Sequence, residues 1–265
     1  MELFSEVLNN SLVQAMILGP IMGVVFGVLF AGLTQAPSPN APLTVIHTRE
    51  VYVTRVVEHR TKHSRRNSDD DAMPILVAFG IGLLFVIWKY AILVNVIHFY
   101  IAVALLTALS FSITTALISF VKGHFTSEDW WLYIISPIVI LSVCVFLLNL
   151  AHTSFDPEIT KGALENTFFQ FYTKWLSSYG RSFMIFHVLG VVLLCVAILF
   201  TSLALLHYLS LMNQRSSGVT QGLWSLFVRL TLFFSGKGWL VFTSLLLVIS
   251  YLAIEPTYIS TWVSN

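Results

Sequence analysis

The chain has 265 residues, of which 57% are hydrophobic, 14% aromatic and only 10% charged. Soluble domains carry about 25% charged residues, so there is too little charge here to cover a soluble surface, and a disordered chain or a secreted disulfide scaffold is excluded as well. Lys+Arg number 14 and Asp+Glu 13, a net charge of +1 that offers no broad basic field for nucleic acid. The composition therefore specifies an all-α polytopic membrane protein. About six transmembrane helices are expected, in a bacterial inner (plasma) membrane, with the lipid bilayer as first partner.

Residues 1–33 are expected to hold an N-terminal segment and the first span. The opening Met1-Glu2-Leu3-Phe4-Ser5-Glu6 lacks the basic stretch of a cleavable signal peptide, so Leu12–Leu33 reads as a retained helix. Gly19, Gly23, Gly27 and Ala31 recur along it every four residues. Such a stripe lets two helix backbones approach closely, either inside one subunit or around an oligomer axis. Pro20 is placed to kink the helix beside that stripe.

Residues 34–72 form a polar insert, expected to be cytosolic. Its core, Leu43–Lys62, is rich in β-branched residues and has no Gly, Pro or Asn, which favours one long β-strand. A helix is the alternative, because Val45, Tyr52 and Val56 also fit that period. A lone strand leaves its backbone groups unpaired. Val45, His47, Arg49, Val51, Val53, Arg55 and Val57 are therefore expected to pair with a second subunit's strand or to dock a soluble cytosolic protein. Arg60, Lys62, Arg65 and Arg66 follow, as contacts for anionic lipid headgroups or as a solvated linker that marks topology.

Residues 73–265 are expected to make a bundle of about five helices. The apolar run Met73–Val121 is too long for one span and is interrupted by Lys89, Asn95 and His98. It divides into expected helices at 74–94 and 97–121. Trp131–His152, Phe183–Leu209 and the shorter Leu240–Ile254 follow as further spans. Interfacial helices are expected near 160–178, where Leu164, Phe168, Phe171, Tyr172 and Trp175 recur at helical spacing, and near 219–235.

The 97–121 segment repeats the small-residue device with Ala104, Ala108, Ser112 and Ala116. Thr107, Ser110 and Thr114 are candidate pore-lining hydroxyls, although such groups also bond back to their own helix. With the N-terminus outside, ten of the Lys and Arg residues fall on the cytosolic side and four on the other.

Candidate chemistry is sparse. No Asp or Glu lies inside an expected span, which argues against a charge-coupled carrier. Asn149, His152, His187 and His207 fall toward span edges, the histidines spread over more than one helix with no local ligand spacing, as interfacial or hydrogen-bonded residues. Cys144 and Cys195 read as packing residues. Asp156, Glu158 and Glu165 lie near His152, but Asp156-Pro157 reads better as a helix start. No phosphate-binding loop, dinucleotide turn, HExxH, GxSxG or paired CxxC is present in the sequence. No catalytic residue, metal, cofactor or direct nucleic-acid contact is therefore expected.

The resulting expectation is a non-enzymatic, homo-oligomeric membrane protein acting as a pore-like or scaffold component. Its insert would mediate self-assembly or dock a soluble partner, as in a bacterial defence or envelope complex, a reading by architecture alone. A secondary transporter of a small molecule and an intramembrane enzyme are the alternatives.

Overall fold

A computed structural model of the chain describes residues 27, 29–31, 72–121, 130–214 and 221–257. The described residues are 93% helical and contain no strand. The seven helices used below are α1 (Ala72–Val121), α2 (Ser136–Ser154), α3 (Pro157–Glu165), α4 (Phe168–Gln170), α5 (Ser178–Gln214), α6 (Gln221–Leu230) and α7 (Gly238–Ile254). Among the described residues, three stretches are long and apolar enough to cross a membrane: Ala78–Val121, Trp131–Ser154 and Ser178–Asn213. The apolar α7 is shorter, at 17 residues. The strand expected at Val45–Val57 and the lipid contacts at Arg60–Arg66 lie outside the described residues, as do Gly19 and Gly23.

One expectation is corrected. Residues 74–94 and 97–121 are not two helices with a tight join but one 50-residue helix, α1. Neither Asn95 nor His98 breaks a helix, and no Gly or Pro stands between Leu83 and Val121. The interrupting side chains are instead accommodated sideways. Lys89 is exposed, with Nζ 4.6 Å from the Trp88 ring centre, and His98 is taken up by neighbouring helices. At 1.5 Å per residue α1 is about 75 Å long, against roughly 30 Å of hydrocarbon in a bilayer. Ala72 and Val121 consequently stand at opposite ends of the bundle, and the ten-to-four count of basic residues, which needed two spans here, no longer holds in that form.

Helix α5 is the central post, touching α1, α2, α6 and α7. It meets α7 closely at Gly190. A Cβ there would lie 2.6 Å from Ile254 Cγ1 and 3.1 Å from the Ser250 carbonyl oxygen. The missing side chain lets Ser250 Oγ donate to the Gly190 carbonyl at 2.8 Å. Helix α2 runs antiparallel to α1. It is led in by a π-helical turn, Trp131–Ile135, and the Trp130 indole donates to Ser119 Oγ at 2.8 Å.

The expected interfacial helix at 160–178 is present but broken. Asp156 caps α3 by accepting from Glu158 N at 2.9 Å, with Pro157 in the first turn. The chain then turns at Asn166 into α4 and a second π-helical turn, Phe171–Trp175. This platform is fastened to α1 by two bonds: Trp88 Nε1 donates to the Ala163 carbonyl and the Tyr172 hydroxyl to the Leu84 carbonyl. Trp175 lies over Gly162, filling the space where any Cβ would sit.

At the far end of the bundle, Tyr133 ties α2 to the turn before α7. Its hydroxyl donates to the Phe234 carbonyl at 3.0 Å and accepts from Gly236 N at 2.6 Å. Gly236 has φ +94°, a conformation that favours glycine. Asn213 Nδ2 donates to the Leu29 carbonyl at 2.7 Å, holding the described piece of the first apolar run at the C-terminal end of α5. Leu29 and Ala72 thus stand at opposite ends of the bundle.

Candidate functional site

The sequence carries one pattern twice: Asn95-Val96-Ile97-His98 on α1 and Asn149-Leu150-Ala151-His152 on α2. A spacing of three puts an amide and an imidazole on one face of each helix. Because α1 and α2 are antiparallel, the two pairs meet at one level. His98 Nδ1 lies 3.4 Å from His152 Nδ1, and His98 Nε2 lies 2.7 Å from the Tyr90 hydroxyl. These contacts leave His98 only 4% exposed.

The hydrogen positions follow from the contacts, since each bond needs one donor and one acceptor. If Tyr90 donates to His98 Nε2, then His98 Nδ1–H donates to His152 Nδ1, and His152 carries its proton on Nε2. Reversing every bond satisfies the same chain. The three groups therefore form a relay with two tautomeric settings.

A third imidazole joins from α5. His187 is fully buried, with its ring centre 5.2 Å from Phe155, 5.3 Å from Phe183, 5.9 Å from Tyr90 and 6.1 Å from His98. Neither ring nitrogen has a hydrogen-bond partner.

A cleft of about 420 Å³ opens beside the relay, between α1 and α2. Asn95, His98, Asn149 and His152 form its polar end, and Phe99, Ala102, Leu105, Leu106, Val145 and Leu148 its apolar length. It is lined by no Asp, Glu, Lys or Arg. Among the described residues, no group of three His, Cys, Asp or Glu side chains is placed to hold a metal ion. The chemistry available is therefore hydrogen bonding by uncharged groups, in a largely apolar surrounding where such bonds are strengthened.

The sequence reading placed these histidines on separate helices and missed their convergence. The repeated Asn-x-x-His was the signal that could have found it. His207, read as hydrogen-bonded, lies elsewhere in the bundle with Nδ1 2.9 Å from Thr231 Oγ1. Asp156 acts as the helix cap that its pairing with Pro157 suggested, beside a separate cleft of about 390 Å³ that Glu158 also lines.

The other expected site residues divide between two faces of α1. Ala108 and Ala116 pack against the core and Ser112 is fully buried, so this part of the stripe serves packing within the chain. Ala104 is exposed. Thr107, Ser110 and Thr114 are also exposed, within about 60° of one another at 100° per residue. Thr107 Oγ1 donates to the Val103 carbonyl at 2.8 Å and Thr114 Oγ1 to the Ser110 carbonyl at 2.9 Å. They line neither of the two clefts above. Of the glycine stripe, Gly27 is exposed with no atom within 4 Å of a Cβ built on it, and Ala31 is half-buried. No protein-family model, curated protein or solved structure matches the chain.

Proposed function

We propose that the chain is a non-enzymatic membrane component that assembles with copies of itself, as a scaffold or pore-like element, through the outer face of α1. The observation that carries this reading is that Thr107, Ser110 and Thr114 share one face of α1 and are exposed among the described residues. A face that meets only lipid tails gains nothing from small hydroxylated residues. Against another helix, they permit close approach and interhelical hydrogen bonds.

In this reading the insert at residues 34–72 faces the cytosol, with the N-terminus outside, and pairs with its counterpart or docks a soluble protein. Six of the fourteen Lys and Arg residues fall in it, in line with the cytosolic bias of basic loops. Partnership within a bacterial defence or envelope complex follows from architecture alone. A transporter is the second reading, favoured by one observation: the uncharged polar cleft at Asn95, His98, Asn149 and His152.

Disulfide cross-linking in native membranes separates these readings. Thr107→Cys and Thr114→Cys, made singly in a background lacking Cys144 and Cys195, are expected to give covalent dimers on oxidation. Ser112→Cys, on the buried face, is expected to stay monomeric. Monomers alone from all three would reject assembly through α1.

A further inference from the structure

We propose that the α1–α2 cleft is a lateral binding site for an amphiphile with an uncharged, oxygen-bearing head and an apolar tail. The polar end supplies the head's partners. The side chains of Asn95 and Asn149 are exposed and take no partner among the described residues, and His152 is engaged only through Nδ1. A carboxamide offers two donors and an acceptor, and the free imidazole nitrogen one or the other according to tautomer. When an apolar tail covers them, these groups need partners to avoid a desolvation penalty. A head bearing carbonyl or hydroxyl oxygens removes it. An anionic head finds no Lys or Arg in the lining, and a cationic head no carboxylate.

The tail follows from the cleft's other end. Ala102, Leu105 and Leu106 on α1, with Val145 and Leu148 on α2, continue the cleft away from the polar cluster. From Asn95 to Leu106 the α1 wall rises about 16 Å, enough for an extended chain segment to lie along it. A groove on another side of α1 gives an internal control. It is larger, about 510 Å³, and lined by Leu93, Val192 and Leu199 among others, with Lys89 and Tyr90 as its principal polar residues. It lacks the paired amides, so lipid there has tail contacts without a matched uncharged head.

The head chemistry fits two sources, an acylglycerol and a quinone, and competition tells them apart. The protein in phosphatidylcholine nanodiscs is photolabelled with a monoacylglycerol carrying a diazirine in its tail, and separately with a lysophosphatidate carrying the same tail. Labelled peptides are then mapped by mass spectrometry. The neutral probe is expected to label the peptide containing Val145–Leu148, on the α2 wall of the cleft, at least fivefold more than the peptide containing Val188–Leu199, on the α5 wall of the other groove, and the anionic probe to show no such preference. Excess unlabelled dioleoylglycerol or decylubiquinone is expected to displace the neutral probe, and the more effective competitor names the source. The double variant Asn95→Leu, Asn149→Leu removes only exposed side chains and is expected to abolish the preference. Leu106→Trp, which fills the tail end and leaves the amides in place, is expected to do the same. Labelling spread evenly around the bundle, equal labelling by the anionic probe, or failure of both competitors would each overturn the proposal.

Discussion

The two ends of the bundle differ in how their buried polar side chains are grouped, as separate pairs at one and as a cluster at the other. At the Tyr133 end several polar side chains meet separate partners on neighbouring elements: Trp130 with Ser119, Tyr133 with Phe234 and Gly236, His207 with Thr231. This end has unpaired groups too: the indole nitrogen of Trp239, which stacks on Tyr133, and the hydroxyls of Ser112 and Thr243. At the platform end Tyr90, His98 and His152 bond to one another, with His187 packed beside them and wholly unpaired. A satisfied buried group needs no explanation beyond stability. A cluster of uncharged bases with spare hydrogen-bonding capacity beside a cleft is better placed to meet something that comes and goes. The contrast separates the region that holds the helices together from the region that offers chemistry.

The largest effect is expected at the α5–α7 contact. Gly190→Leu drives side-chain atoms into Ile254 and the Ser250 backbone, an overpacking of about 3 kcal/mol or more. Thermal unfolding in detergent should fall by roughly 6–12 °C. An unchanged Tm would show that α7 is not seated on α5.

Next comes Tyr133→Phe, which leaves the Phe234 carbonyl and Gly236 N–H without their partner at the cost of about 1–3 kcal/mol. Limited proteolysis between α6 and α7 should accelerate with it. If the cleavage rate does not change, the hydroxyl is not what holds that turn.

The sharpest contrast lies between two histidines of the platform end. His98→Phe strands the Tyr90 hydroxyl and His152 Nδ1, and is expected to cost about 1–2 kcal/mol. His187→Phe strands nothing and should leave Tm unchanged or raise it, because it replaces an unpaired polar ring with an apolar one. A loss of stability in His187→Phe equal to that in His98→Phe would mean that His187 takes a partner after all.

The smallest effect concerns the platform's bond to α1. Burial pushes the Tyr172 phenol up to about 12, above its ordinary value near 10. Between these values the folded chain keeps a proton that the unfolded chain has released, so the contribution to stability is complete below pH 10 and declines as pH rises through 12. Tyr172→Phe should remove that alkaline decline while lowering Tm slightly at neutral pH. An identical alkaline profile in the variant would assign the decline to another group.

Much of the helical frame was legible because apolar runs have few other uses. Trp131–Ser154 and Ser178–Gln214 lie within a few residues of the expected spans. The amphipathic spacing of Leu164, Phe168, Phe171 and Tyr172 marked a helical platform. The division of α1 failed because polar residues were taken as loop signals, whereas a helix tolerates Asn95 and His98 when neighbouring helices receive them. The His cluster was not legible from periodicity, since its members are brought together by antiparallel packing across 54 residues of separation between His98 and His152. Gly190 was missed for a related reason. It belongs to no four-residue stripe, and its importance comes from Ile254 and Ser250 on another helix.

The account rests on α1 being a single rod that carries the platform-end cluster on one side and the Thr107–Thr114 face on another. A pulsed electron-paramagnetic distance between nitroxides at Phe79 and Leu117, both exposed, tests it directly in bilayers, with the labelled protein diluted in unlabelled copies. One continuous helix predicts about 57 Å for this 38-residue separation. A distance of about 10–15 Å, as for two antiparallel helices packed side by side, would contradict it. That result would bring Ala72 back to the end where Asn213 holds Leu29.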